Sequence, residues 1–541
     1  MDLILHNGNL HTMDKDKPTA QAIAMECGII TAVGSDAEIL ALKTDKTELV
    51  DLGGKTVIPG LNDSHLHLLF YAIELGRVGL HGVKSIDEMI ERFRDFIIKN
   101  NVPEGTPVLG WGWNQNFFEG SNENPSRYDL DKASSVHPIY AARACGHIGC
   151  ANSAMINHFS IDKNTPEVPG GEIVRDEYGE PTGIFSENAR QIFRSSQIFN
   201  KDEIKAHILR ALPHYAKLGI TSVHSDDFGD ATPYEAVYEA YIELVKEKKL
   251  TVRVNEKCRV LGLENYRKML NALPHVDDEI APYFKLGPVK IMADGSLGGR
   301  TAYMKEDYHD DPGNRGIPIY SREEFDAIVE LVHSLGRQVA VHAIGDETMQ
   351  WCMDAIKKVR AENPKDDIRH AIVHCQITDE ALLKEFKEHD VTAYIQPIFI
   401  HSDWSTVASR VGEAKAATSY AFKTLKDMGV AIPFGTDSPV EPLDPFANIY
   451  CAVSRKDLSG KPETGFNPNE ALSVEEAVYA YTADGAYTSY EEDKKGKLKV
   501  GMFADAVVLT KDIFTIAQQD IPKTEVEMTI FDGKLIYRLE S

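Results

Sequence analysis

Residues Pro59 to Leu68 read PGLNDSHLHL, and the apolar run Thr56–Ile58 leads into them. On a β-strand successive side chains alternate, so His65 and His67 fall on one side. Two imidazoles sharing one side of a strand end can grip a single metal ion. A His-x-His pair alone is weak, because two half-buried strand histidines often arise at that spacing by chance. Its company further along strengthens it. His342, His374 and Asp437 each close a short apolar run, and Lys290 follows Gly287-Pro288-Val289.

Those later residues sit in a repeating pattern. Lys205 to Leu218 predicts a helix kinked at Pro213, stopped by Gly219 ahead of the strand Ile220–His224. Val252–Asn255 and Val289–Met292 predict further strands. Ser321 with Glu324 has capping-box spacing. Phe325, Ile328, Val329, Val332 and Leu335 mark one helical face, and Gly336 ends it. Strand Val339–Val341 then delivers His342. Helices over Met349–Val359, Glu380–Phe386 and Tyr420–Met428 lead to Ala371–Val373, Val391–Ile395 and Ala431–Phe434. Counting the His65 strand, about eight strand–helix units follow, as an α/β fold of the (β/α)8 TIM-barrel type requires. Such a barrel places chemistry at the C-terminal ends of its strands, where the His, Lys and Asp fall.

The two ends of the chain read as short strands with turn signals at Asn7-Gly8, Cys27-Gly28 and Asp532-Gly533. Neither end holds enough apolar residues for a core of its own. Residues 1–58 and 496–541 are therefore expected to form one composite β-sandwich, with the barrel over 59–495. Residues 70–205 break the barrel rhythm and are rich in Gly, Asn and aromatics, as in Leu109 to Asn114. They predict a large insertion after the first barrel strand, serving as a lid over the barrel mouth or as a peripheral oligomerisation element. Glu172–Asp176 and Pro181–Phe185 within it predict a hairpin.

The 541 residues suffice for one large and one smaller domain, and the apolar fraction of 43% is ordinary. A formal net charge of −25 argues against nucleic acid or an anionic membrane as partner. No secretory signal and no membrane-spanning run is visible. The cysteines, Cys27, Cys145, Cys150, Cys258, Cys352, Cys375 and Cys451, fit no disulfide framework or zinc knuckle. A reduced, cytoplasmic protein is the expectation.

Metal chemistry needs ligands converging on one point with a position left for water. His65, His67, His342, His374 and Asp437 supply such a set from four strands. For any single histidine a structural role is the better reading; for all of them at matching strand ends it is not. Here the chain resembles the amidohydrolase superfamily, in the long-chain branch (amidohydrolase family 3) that includes N-substituted formamide deformylases. The resemblance rests on Pro59 to His67, on KIMADGSL from Lys290 to Leu297, and on Val341-His342-Ala343-Ile344-Gly345-Asp346. His374-Cys375-Gln376, GTDSPVEPLDP from Gly435 to Pro445, and the tail Gly501 to Leu509 complete it. Val373 stands where relatives often carry an acidic residue.

The resemblance implies a metal-dependent barrel using one or two divalent ions, zinc by default, with manganese or iron as alternatives. His65 and His67 would hold one ion and His342 and His374 a second. Lys290 would be carboxylated and bridge them, since a free ammonium beside two cations is repelled whereas a carbamate is an anionic ligand. Asp437 would bind the first ion and handle protons. In the insertion, Trp113, His147 and Glu187 carry family-like marks as substrate contacts, with His147 also bonding a carbonyl or oxyanion. Core packing for Trp113 and a structural hydrogen bond for His147 are equal alternatives. Arg300, Arg315 and His401, in strand–helix loops, are the remaining pocket candidates.

The implied reaction is hydrolysis of the C–N bond of an acyclic amide, an N-substituted formamide or N-acyl amine, by metal-activated hydroxide, with Asp437 passing the proton to the leaving amine. No Gly-x-Ser-x-Gly elbow or phosphate-binding loop competes with it. Two rivals stand beside it. One is hydrolysis of an ester, carbamate, lactone or cyclic amide at the same site, since fold does not fix substrate. The other is a non-catalytic metal-binding regulatory protein, against which the complete ligand set argues. The expected partner is a small-molecule substrate, and a homodimer is left open.

Overall fold

Seven parallel strands carry the residues of interest: β1 (Leu61–Leu66), β2 (Ile220–Ser225), β3 (Arg253–Cys258), β4 (Phe284–Met292), β5 (Val339–Ala343), β6 (Ala371–His374) and β7 (Thr392–Tyr394). They pair in chain order, β1 beside β2 through to β7. The computed structural model describes residues 1–119, 123–144, 147–197, 199–229 and 233–540, and Cys145 lies outside these. The open edges of β1 and β7 are bridged by the segment 431–437. Ala393 N–H donates to Ala431 O and Gly435 N–H to Ile395 O on one side; Ser64 N–H donates to Phe434 O and Asp437 N–H to His65 O on the other. The eighth stave is irregular because Pro433 has no N–H to give a ladder. Beyond β1, every residue of β2, β3, β5, β6 and β7 is buried, as expected of strands covered on both faces.

The helices follow the capping chemistry. Ser321 Oγ accepts the Glu324 N–H at the start of Arg322–Ser334, and Gly336 follows at φ +70°. Asp346–Glu362 is longer than the apolar periodicity indicates, and Phe422–Asp427 is shorter. Lys201–Lys217 continues through Pro213.

The chain ends build two further sheets. One holds Ile29–Gly34, Ala22–Glu26, Leu3–His6 and Glu48–Asp51; the other runs Lys534–Arg538, Val526–Phe531, Ala506–Leu509, Thr56–Pro59, Asn9–His11 and Thr19–Ala20. In the second sheet Ala506 pairs with Pro59 and Val508 with Val57. Leu3, Leu5, Met25, Val57, Ala506, Val508 and Ile530 share one apolar core. The turns Cys27-Gly28 (φ +50° and +75°) and Asp532-Gly533 (φ +52° and +73°) take the twin positive-φ form that suits a two-residue hairpin.

The chain divides into two units, Met1–Leu68 with Ala211–Ser541, and Leu69–Arg210. The second unit is a six-stranded mixed sheet in the order Gly171–Arg175, Pro181–Glu187, Ile148–Ala151, Ile139–Arg143, Val108–Trp113, Val78–Gly79. Its period of two is clean: Ile139 and Ala141 enter one core with Phe93 and Trp113, Tyr140 and Ala142 the other with Phe185 and Phe193. Among the described residues no helix is long and apolar enough to cross a membrane.

Candidate metal centre

The end of β1 and the segment after it bring two imidazoles onto one carboxylate oxygen. His65 Nε2 lies 3.3 Å and His67 Nε2 3.2 Å from Asp437 Oδ1. Their ligand atoms all fall within 4.8 Å of one another. Local backbone makes this approach possible. Gly435 lies against β1 so closely that a Cβ there would sit 2.5 Å from His65 N. Asp437 and His374 hold φ of +61° and +82°, a region that non-glycine residues enter at a cost and keep where the surroundings enforce it. Asp63 fastens the two strand ends together, accepting from Thr436 N–H and Oγ1–H and from His65 N–H. Burial raises the Asp63 carboxyl to about 7, against the pull of these donors.

His342 and His374 adjoin this group. Their ring centroids are 4.4 Å apart, and His374 lies 5.4 Å from His65. Both imidazoles are driven toward the neutral form by burial, His342 to about 4 and His374 well below its ordinary value. Lys290 Nζ, buried at the end of β4, is 3.3 Å from His65 Nε2 and 3.7 Å from Asp226 Oδ2. Burial lowers this amine, and Asp226 partly offsets that.

Three residues that the sequence did not single out, Asp226, Arg259 and Lys257, complete the surroundings. Asp226, just past β2, receives Arg259 Nε–H at 2.9 Å and is held down to about 2: burial opposes this, and Arg259, Lys290 and His67 outweigh it. Lys257, on β3, places Nζ 2.7 Å from His65 Nδ1 and donates to Ser64 O at 2.9 Å. The signal that marks His342 and His374 is missing here, since Lys257 follows Asn255-Glu256 and Asp226 follows His224-Ser225 rather than an apolar run.

The hydrogen-bond directions test whether a cation fits. His67 Nδ1 faces the Asp226 carbonyl at 3.0 Å, so this nitrogen donates. A neutral His67 then turns a bare Nε2 lone pair onto the Asp437 oxygen, and two acceptors 3.2 Å apart need a proton or a metal ion between them. His342 Nε2 likewise donates to Gly295 O at 3.1 Å, leaving Nδ1 as its free lone pair. His374 Nδ1 is buried with no hydrogen-bond partner. Nitrogen lone pairs beside a carboxylate form a donor set suited to a borderline divalent ion.

The remaining sequence candidates have partners of their own. Trp113, expected as a substrate contact, is fully buried in the core of its own unit, its indole N–H donating to Ala141 O; this is the packing alternative. His147 is exposed and its Nδ1 meets Glu187 Oε2 at 3.0 Å. Arg300 forms a bidentate pair with Asp310, which Arg410 also contacts. Arg315 Nε donates to Met304 O, and His401 Nδ1 accepts from Leu458 N–H.

The profile of the amidohydrolase family matches residues 48–537. Putative amidohydrolase YtcJ of Bacillus subtilis (strain 168) is 31% identical, covering 99% of both chains. The N-substituted formamide deformylase of Arthrobacter pascens is 26% identical over 99% of this chain and 98% of its own. An uncharacterized metal-dependent hydrolase from Pyrococcus horikoshii OT3 superposes with a TM-score of 0.77 at 29% identity, covering 95% of this chain and 99% of that one. With the motifs, the barrel and the histidine–carboxylate cluster in place, the chain belongs to the amidohydrolase family, in its family 3 branch, and is a metal-dependent hydrolase by that membership.

Proposed function

We propose that this chain hydrolyses the C–N bond of an acyclic amide, an N-substituted formamide or a related N-acyl amine, at the cluster His65, His67 and Asp437. The observation that carries the reading is the convergence of two imidazole Nε2 atoms on one Asp437 oxygen at the strand ends of the barrel. The full-length likeness to a deformylase supports the choice of bond. Lys290, His342 and His374 complete the ligand set, with zinc the ion that best suits imidazole and carboxylate donors. A divalent ion bound there supplies Lewis acidity, lowering the pKa of a water ligand and polarising a carbonyl.

The chain's own residues do the rest. His67 is fixed in one tautomer by the Asp226 carbonyl, so its Nε2 lone pair stays aimed at the centre. Asp437 accepts a proton from the attacking water and returns it to the amide nitrogen, because an amide anion is a very poor leaving group. A substrate panel tests this: N-formyl, N-acyl, carbamate and ester compounds offered to metal-analysed protein. Chelator-sensitive turnover is expected on the N-formyl or N-acyl compounds, and turnover of esters alone would overturn the choice of bond.

A second reading concerns Lys290. A carboxylated Lys290 would serve as an anionic ligand to two ions, whereas the 3.7 Å approach of its amine to Asp226 favours an ion pair, with a single ion that His65, His67 and Asp437 would hold. The metal-to-chain ratio of active protein separates them: two for the bridge, one for the ion pair.

A further inference from the structure

Within the unit Leu69–Arg210 lies a cavity of about 310 Å³ that the hydrolytic centre does not use. Its size is at the lower end of ordinary small-ligand pockets, roughly 300–1,000 Å³. One wall is a single face of the helix Lys201–Lys217, where Glu203, Ala206, His207 and Arg210 follow at helical spacing. The opposite walls are mainly apolar, with Ile73, Phe96, Val102, Pro107, Leu109 and Phe199, and Asn100 and Thr106 add polar groups.

The polar groups are set unevenly. Arg77 and Arg210 both line the cavity. Arg77 Nη1 is paired with Glu74, but its Nε is buried and has no hydrogen-bond partner. Arg210 lies against Gly76, where a Cβ would fall 2.3 Å from its Nη1. Its guanidinium meets His207 Nδ1 at 3.3 Å, and among the described residues no carboxylate pairs with it. That imidazole is itself held near 4 by burial and by Arg210, so it stays neutral and is no counter-ion. The one carboxylate in the lining, Glu203, is taken by the Asn200 N–H at the start of the helix. One guanidinium thus stands uncompensated beside an orphaned donor of a second, at the edge of an apolar chamber. Arg210 is exposed at the rim, so the costly group is the buried, unpartnered Arg77 Nε–H, and a bound carboxylate satisfies it while meeting the Arg210 charge.

We infer that this cavity binds an amphipathic monocarboxylate, its carboxylate on Arg210 and Arg77 and its hydrocarbon body against Phe96, Val102 and Leu109. None of these residues belongs to the metal cluster, and the inference does not rest on the proposed hydrolysis. Octanoate is a suitable probe, with 1-octanol and octylamine as neutral and cationic comparators. Calorimetric titration of the metal-loaded full chain is expected to give saturable octanoate binding, with both comparators at least about ten-fold weaker. Arg210→Met should weaken octanoate by about ten-fold or more, Arg210→Lys should recover part of that, and Ala206→Trp should abolish binding by filling the chamber. Metal content and thermal midpoint, measured alongside, identify any variant that fails to fold. Equal binding of octanol and octanoate would overturn the inference. So would octanoate binding unmoved in both folded Arg210→Met and Ala206→Trp, the result expected if the carboxylate merely ligates the metal centre, and so would no saturable binding.

Discussion

His67 shows how a single side chain is committed to acting as a ligand, with one ring nitrogen occupied by a backbone carbonyl and the other left facing a carboxylate. The support for that arrangement is as tight as the arrangement itself. Gly435 is required because any Cβ would press on His65 N. Gly435→Ala is therefore expected to cost about 1–3 kcal/mol of stability and to weaken metal retention, read from urea midpoints and metal analysis. An unchanged midpoint would mean that the strand ends are looser than drawn. At this scale His342 and His374 are legible because each closes an apolar run, where a polar residue is conspicuous, and His65 and His67 because their spacing puts them on one side of a strand. Lys257 and Asp226 occupy equivalent strand ends, but a lysine or aspartate there matches no metal-ligand spacing. Arg300, Arg315 and His401 can be read only as polar residues near strand–helix loops, and the partners that meet them come from other stretches of chain.

Among the elements, the strands β5 and β6 show what sequence periodicity conveys and what it omits. Their apolar cores are plain in the sequence, but a buried histidine pair at their base is not. Val339 N–H donates to His370 Nδ1, so His370 Nε2 donates to His333 Nδ1, 2.9 Å away, and His333 Nε2 donates to Asn363 O. His370 stays neutral in this chain of bonds. Burial, then Arg360 and His333, hold His370 down to about 3. An unfolded imidazole takes up a proton near 6.5, so between pH 6.5 and 3 the unfolded state binds more protons, and stability falls as pH falls. From pH 7 to 5 this group should remove about 1–2 kcal/mol in the wild type and nothing in His370→Gln. Urea titrations of both at the two pH values measure the difference, and equal losses would contradict it. The apolar run Ala431–Phe434 predicts a strand for the eighth stave. Pro433 removes the donor a ladder needs, and backbone bonds to β1 and β7 close the barrel instead.

For the whole molecule, the composition of each chain end points to a shared sheet, since neither can bury itself. What the sequence does not convey is how that sheet is tied to the barrel. Arg253, on β3, pairs through Nε and Nη2 with both oxygens of Asp505 at 2.7 and 3.0 Å, and its guanidinium lies 3.8 Å from the Phe503 ring centroid. Both side chains are almost fully buried. Breaking such a pair leaves a charge stranded, so Asp505→Ala is expected to cost about 3–5 kcal/mol. The double variant Arg253→Met with Asp505→Leu should be less damaged than Asp505→Ala alone, and additive losses would refute the coupling. The unit Leu69–Arg210 is the least legible part of the chain. Its strands are interrupted by glycines that packing demands, such as Gly149, where a Cβ would sit 2.1 Å from Tyr140 Oη. Glycine in a strand weakens the very pattern by which strands are recognised.

Everything proposed for the reaction depends on His65, His67 and Asp437 holding a catalytic divalent ion. Metal analysis of purified protein, paired with turnover of an N-formyl amine before and after chelation, tests it most directly. One or two equivalents of a divalent metal, zinc first, are expected, with activity lost on chelation and restored on reloading, and both metal and activity lost in His67→Ala. Full activity in metal-free protein, or in His67→Ala stripped of metal, would contradict it.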